Sequence, residues 1–434
     1  MANFKVKNGL QAGRYLLNST TLSGSTIDLS LASMFSTTLS SDPAYAFTNP
    51  PPSGTAQAFS VEVTGGTTTF TQDSFATTLY TGNGSSQTIT NGLDLSTDGG
   101  LVWERPRISS NHWLWDSARG PQYSLATDTT SAQSDMGANG TLLTSTGFTS
   151  RMGWGSGTPI VAWSFKKQAK FFDIVTYTGD GVAGLTVNHS LGGTVGSMFV
   201  KCTSHADDWY VYHIETGATH SSFLNTTAAA AANGAYWNNT APTTTQFTVG
   251  DNAGVNANGR TYVAYLFAHD TASDSRIKCG SYTGTGSAGN FIDLGFKPQW
   301  VMIKRSDASG ESWYLFDTLR GMPVGGNTAD LYANSSAAED TFLGSVNDVC
   351  HPTATGFSVE TTTTALNASG GTYIYMAIRG DAATDSAITW PSSVKWPSGL
   401  APTTPAAGTK DLFTFLTTDG GTTYYGKKAA EGIA

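Results

Sequence analysis

Two pairs of opposite charge share one spacing in this sequence: Asp116/Arg119 in WDSARG and Asp317/Arg320 in FDTLRG. A carboxylate and a guanidinium three residues apart can recognise a glycan or a neighbouring subunit, or can fix a loop as a local ion pair. The local pair is the simpler reading. His213 and Glu215 stand in the corresponding place between them, so the fold does not require the pair. His205, Asp207, Asp208 and His213 are metal-ligand types, but their spacing matches no zinc signature. Asp251, Asn252, Asn256 and Asn258 crowd a turn without the order of a calcium loop. No metal or other cofactor is expected. Asp116, Arg119, Asp207, Asp208, Asp317 and Arg320 are kept as candidate surface or subunit contacts.

Signals for catalysis are weak. There is no G-x-S-x-G elbow, and the Gly-rich YTGxG stretches lack the Lys-Ser/Thr or the following helix of a phosphate loop. Glycines in left-handed turns explain them. A glycosidase needs two placed carboxylates, and none recurs as a pair. The chain is therefore read as a non-enzyme.

The elements that carry these residues recur. Tyr80 opens YTGNG, Tyr177 opens YTGDG 97 residues later, and Tyr282 opens YTGTG after a further 105. About thirty residues after each comes a Trp: Trp113 in HWLWDSARG, Trp209 in DWYVYHIE and Trp313 in SWYLFDTLRG. A Thr-rich turn then leads to Phe148, Phe247 or Phe357, and each unit closes on an apolar strand, IVAWSF, YVAYLF or YIYMAI. The Trp residues could stack on sugars, but their place in apolar strands reads as core. A period near 100 residues suits a domain, and short strands between Gly, Asn, Asp and Ser turns suit a β-sandwich or jelly roll. The sequence thus predicts an all-β chain with three tandem repeats, at 70–168, 169–271 and 276–381. The helix-like stretch Ala228–Ala232 is too short to hold a helix alone.

Composition agrees. Charged residues make up 13% of the 434, against ~25% in ordinary soluble chains. With aromatics at 11% and net charge −9, the chain reads as folded and β-rich, with no basic run for nucleic acid. Three cysteines, Cys202, Cys279 and Cys350, read as buried hydrophobes rather than a disulfide framework. The first residues lack a secretory apolar core, and no stretch approaches the ~18 apolar residues of a membrane helix. A soluble protein made in a cytoplasm is expected, without membrane insertion.

The flanks read as two halves of one more domain, 16–66 with 385–434. Phe59, Val61 and Val63 alternate with polar residues, as do Phe413 and Phe415, and Asp419-Gly420-Gly421 marks a hairpin turn. Each flank holds ~50 residues, marginal for one core but ordinary once combined. The repeats would then be inserted between the halves, with residues 1–15 as a separate arm.

The flank residues GSTIDLS (24–30), AFTNPPPSGTAQAFSVEV (46–63), ITWPSSVKWPSGLAPT (388–403) and FLTTDGGTTYYG (415–426) resemble a segment common in tail-fibre and other structural proteins of marine bacteriophages. In that family the two parts are usually close in sequence and form one β-domain; here more than 300 residues separate them. The repeats resemble domains of phage fibres predicted to be lectin-like β-sandwiches, and FKVKNGL (4–10) resembles the start of such virion proteins. The resemblance implies a tail fibre or receptor-binding subunit in the virion. It further implies a homotrimer, joined to other virion proteins through the N-terminal arm and contacting a host-surface glycan or receptor. A capsid decoration or head-fibre protein is the second reading and a polysaccharide depolymerase the third.

Overall fold

The computed structural model describes residues 19–21, 26–30, 32, 34–38, 45–52, 56–64, 74–272, 274–322, 328–341, 349–380, 390–397, 402 and 410–433. The proposed arm, 1–15, lies outside them. The chain is all-β, and it divides into two compact units: residues 1–70 with 381–434, and residues 71–380.

In the first unit both chain ends enter one six-stranded sheet, in the order Ser19–Thr21, Met34–Thr38, Gln57–Thr64, Lys410–Thr417, Tyr424–Ile433, Val394–Lys395. Gln57–Thr64 runs antiparallel to Lys410–Thr417, with Phe59 opposite Phe415 and Val61 opposite Phe413. Period-two alternation puts these four on one face, where Phe35, Trp390 and Tyr424 join them in the core. Phe59 and Phe415 stack with centroids 5.0 Å apart. The hairpin after Thr417 turns on Gly420 and Gly421, at φ 72° and 83°, and Asp419 accepts a hydrogen bond from the Thr423 amide at 2.9 Å.

In the second unit one strand order occurs in three segments: a first (to residue 168), a middle (169–271) and a last (from 276). In the first, Phe75–Thr81 pairs with Pro159–Lys166, which pairs with Gly100–Pro106 and that with Trp113–Asp116. The middle segment repeats this with Phe172–Thr178, Thr261–Ala268, Val195–Cys202 and Trp209–His213, and the last with Ile277–Thr283, Thr372–Arg379, Pro298–Arg305 and Tyr314–Asp317. A smaller sheet covers each, giving a sandwich-like arrangement. It holds Phe148 opposite Ile89, Phe247 opposite Val187 and Phe357 opposite Ile292.

The opposite faces of the large sheets do not meet solvent. Trp103 and Trp163 of the first segment, Phe199 and Tyr265 of the middle, and Met302 and Met376 of the last lie in one continuous core. The three segments share this core, while the sandwich interiors of the first and the last form further clusters around Phe148 and Phe357. Gly100–Pro106 and Val195–Cys202 are buried at every position, which two covered faces require. Ala228–Ala232 is not helical; Ala231–Ala232 adds a short edge strand against His220–Phe223. Helix is confined to Ala253–Asn256 and Thr364–Asn367 among the described residues, apart from a 3-10 turn at Gly137–Asn139.

Candidate functional site

The polar residues singled out in the sequence meet at the seams between these segments. The seams are built by backbone first. The amides of Asp207 and Gln133 donate to Thr130 and Thr203 across the first–middle seam, at 2.8 and 3.0 Å. Gly310 and Ala230 donate to Thr227 and Ser306 across the middle–last seam, both at 2.9 Å. Ser110 and Glu339 donate to Ser336 and Arg107 across the last–first seam, at 2.9 and 3.1 Å. The third pair closes the set into a cycle.

Side chains follow the same cycle. Trp209 Nε1 donates to the Ala126 carbonyl and Trp313 Nε1 to that of Phe223, each at 2.9 Å. Their own amides donate to Asn225 and Asn334, at 2.9 and 2.8 Å. In the first segment the residue whose amide makes the matching bond, to Asp128 at 3.1 Å, is His112 and not Trp113. His112 is fully buried, whereas Trp113 is only half-buried. The sequence landmark was therefore one residue late. His112 Nδ1 accepts from Trp103 Nε1 at 2.9 Å, and burial holds the ring well below its ordinary pKa.

The Asp–Arg pairs are local ion pairs, but they are not surface contacts. Arg119 Nε meets Asp116 Oδ2 at 2.6 Å and Arg320 Nε meets Asp317 Oδ2 at 2.5 Å, with both carboxylates fully enclosed. Each carboxylate also receives a donor from the neighbouring segment. Tyr265 Oη donates to Asp116 at 2.6 Å, and Trp163 Nε1 to Asp317 at 3.0 Å. Burial alone would disfavour the charge on Arg119, but Asp116 and Tyr265 outweigh it and hold the guanidinium above its ordinary value. The middle segment puts His213 in this place. Its Nε2 meets the Tyr375 carbonyl at 3.1 Å, and burial pushes its pKa down to about 4. A small cleft at this seam is lined by Ser197, Phe199, His213, Met302, Trp313 and Met376.

A buried cation also recurs on the third strand of each segment. Lys201 Nζ donates to the Cys202 carbonyl at 2.9 Å and Lys304 Nζ to that of Arg305 at 2.7 Å; Arg105 bonds Pro106 at 2.6 Å and reaches Ala337 of the last segment. Burial pushes both lysines down to about 8.

The other sequence candidates separate. Asp207 accepts from Tyr210 Oη at 2.9 Å and Asp208 from Asn225 Nδ2 at 2.8 Å, both half-buried braces rather than free contacts. His205 is exposed and bonds Ser204, so it does not join His213. Among the described residues no three of His, Cys, Asp or Glu gather as a metal site. Asn252 caps the short helix through the Gly254 amide, and Asn256 is buried, bonding Asp180, Val182 and Gly250. The YTGxG loops are turns: Gly84, Gly181 and Gly286 have φ of 78°, 74° and 70°. The glycine before each has no room for a side chain, since a Cβ on Gly284 would lie 2.1 Å from the Ala368 carbonyl oxygen. Tyr177 and Tyr282 anchor those loops through the carbonyls of Val255 and Leu366, both at 2.7 Å, and Tyr80 bonds Glu104 at 2.5 Å. The three cysteines are buried and none of them is in a disulfide. No helix of the described residues is long and apolar enough to cross a membrane.

Sequence reasoning missed Tyr265 and Trp163, which sit at the same place in YVAYLF and IVAWSF. They differ there from Met376, and a polar-tipped aromatic inside an otherwise apolar strand was the available signal.

No curated protein matches the chain. A family model described as a domain of unknown function, DUF7483, matches residues 71–381, the segment bounded by the seam-forming unit, and the chain belongs to that family.

Proposed function

We propose that the chain is a non-catalytic virion structural protein, a tail-fibre or receptor-binding subunit that contacts a host-surface glycan or receptor. The flank and repeat motifs that resemble phage fibre proteins support this reading. The observation that carries it furthest is the use of the buried polar groups. Asp116, Arg119, Asp317, Arg320 and His213 hold one segment to the next, which suits a rigid presenting scaffold better than an active site. In this reading the three segments are copies of one unit, held at fixed spacing so that three weak contacts act with avidity. The homotrimer would form through other surfaces, because the seams are already filled within one chain. Residues 1–15 would attach to the neighbouring virion protein.

Electron microscopy of intact particles labelled with antibody against residues 71–380 tests this. Label on the tail or its fibres is the expected result. Label spread over the head would favour the second reading, a capsid decoration or head-fibre protein. Release of reducing ends from host capsule would favour a depolymerase instead.

A further inference from the structure

Both seams of the last segment place a buried histidine against its backbone. His213 of the middle segment is 2% exposed and His112 of the first 0%. His213 Nε2 meets the Tyr375 carbonyl, which can only accept, so that nitrogen carries the proton of the neutral imidazole. Its Nδ1 accepts from the Glu215 amide at 3.3 Å and must keep its lone pair. His112 is arranged alike. Its Nδ1 accepts from the Trp103 indole, which can only donate, and the imidazole faces the backbone of Tyr332 and Ser335 in the last segment. Phe223 pairs with Tyr210 and Tyr332 with Tyr314. Tyr332 therefore offers the counterpart of the Phe223 carbonyl that the Trp313 indole reaches. His112 fills an indole's place with a group that can titrate.

An added proton has nowhere to go on either imidazole. It must sit on Nδ1, where an N–H already points, and the charge is enclosed without an acceptor. The neighbours do not relieve it. Arg105 and Arg320 stand beside His112 and oppose a further cation. His269 stands beside His213. Burial keeps Cys279 and Tyr375 protonated, and the Glu215 carboxylate accepts from Ser281 Oγ at 2.9 Å.

We infer that the last segment is an acid-released unit: protons on His112 and His213 free it from the first and middle segments while the seam between those two stays closed. That seam is bridged by Tyr265 Oη and the Trp209 indole, donors that take up no proton in mild acid. Release uncovers Phe199, Met302, Trp313 and Met376, an apolar surface that neutral pH keeps covered. The ion pairs and backbone bonds of the two seams set how seldom they open at pH 7. The histidines set how that frequency changes with acid. His213 titrates near 4 in the closed seam against an ordinary 6.5, so its contribution is complete above pH 6.5 and is lost as pH falls toward 4. By linkage, His213 alone makes opening ~20-fold more frequent at pH 5 than at pH 7. His112, also held low by burial, acts in the same direction.

Cys279 reports on the middle–last seam. Its Sγ lies 3.6 Å from the Ala268 carbonyl, and a Cβ on Gly196 would fall 2.7 Å from it. Cys202 lies beside Tyr177 and Tyr262 of the middle segment, and Cys350 inside the last segment's own sandwich. The full chain is treated with dithiodipyridine, which labels thiols in mild acid, at pH 7, 6 and 5. Labelled peptides are quantified by mass spectrometry, and each rate is divided by that of the urea-unfolded chain at the same pH. Cys279 is expected to gain ~20-fold or more in accessibility from pH 7 to 5, with Cys202 and Cys350 nearly unchanged. His213→Gln keeps a donor for Tyr375 and an acceptor for the Glu215 amide, so Cys279 should stay protected at pH 7 and lose that ~20-fold share of its acid response. A parent whose Cys279 stays equally protected at pH 5 would overturn the release. An equal rise at all three cysteines, which is general unfolding, would overturn it too. A His213→Gln chain protected at pH 7 that keeps the parent's full response would overturn the part given to His213.

Discussion

Trp163 donates its indole hydrogen to Asp317 Oδ2 at 3.0 Å, across 154 residues of chain, while the Arg320 guanidinium lies 5.3 Å above the same indole ring. One carboxylate thus answers both a local cation and a donor from the first segment. Asp317→Ala leaves the buried Arg320 with Glu339 alone, at 3.1 Å, and takes the acceptor from Trp163. The expected loss is ~3–5 kcal/mol, read by urea unfolding with tryptophan fluorescence. Asp207→Ala, at a half-buried brace, is expected to cost no more than ~1–2 kcal/mol.

Stability should rise between pH 8 and 10. Lys201 and Lys304 release their protons near pH 8 in the folded chain, whereas unfolded lysine keeps its proton to its ordinary pKa of 10.5. The unfolded state therefore binds more protons in that window, and stability increases with pH by ~2–3 kcal/mol per lysine. Above pH 10 the trend reverses, because burial keeps Tyr177, Tyr265 and Tyr282 neutral in the fold while unfolded tyrosine ionises. Denaturant midpoints from pH 7 to 10 check this, and Lys201→Met with Lys304→Met should flatten the rise.

Acid acts through His213. Its folded pKa near 4 lies below the ordinary 6.5, so the contribution is complete above pH 6.5 and is lost as pH falls toward 4. His213→Gln is expected to reduce the pH dependence of Tm between those limits, measured against the parent in the same buffers.

The last segment's YTGxG loop depends on Asn367. Its side chain donates to the Ser287 and Thr361 carbonyls, at 2.7 and 2.8 Å, and accepts from the Thr285 amide at 2.8 Å. Asn367→Ala removes all three bonds of a fully buried side chain and should cost ~2–3 kcal/mol. Amide exchange should then quicken first in residues 284–289.

Some of this was legible in the sequence and some could not be. Phe59, Val61, Phe413 and Phe415 alternate because one face of their sheet is the core, and alternation is visible in a string of letters. Gly100–Pro106 and Val195–Cys202 do not alternate, since both faces are covered, so nothing local marks which side meets another segment. The Asp–Arg spacing disclosed an ion pair, but not its burial, because Tyr265 and Trp163 come from elsewhere in the chain. His112 was masked by Trp113 beside it, the more conspicuous residue of the two.

Thr64 pairs with Lys410 in the first unit, so the strands that lead out of and back into that unit end side by side. In the second unit Phe75 packs on Trp300, whose strand neighbour is Ile378, so its entry and exit also lie together. Each unit therefore ends where it begins. Such a layout makes residues 71–380 a cassette: it can be exchanged for another module, or re-cut at one of its surface turns, with little change in the loop-closure entropy of its host.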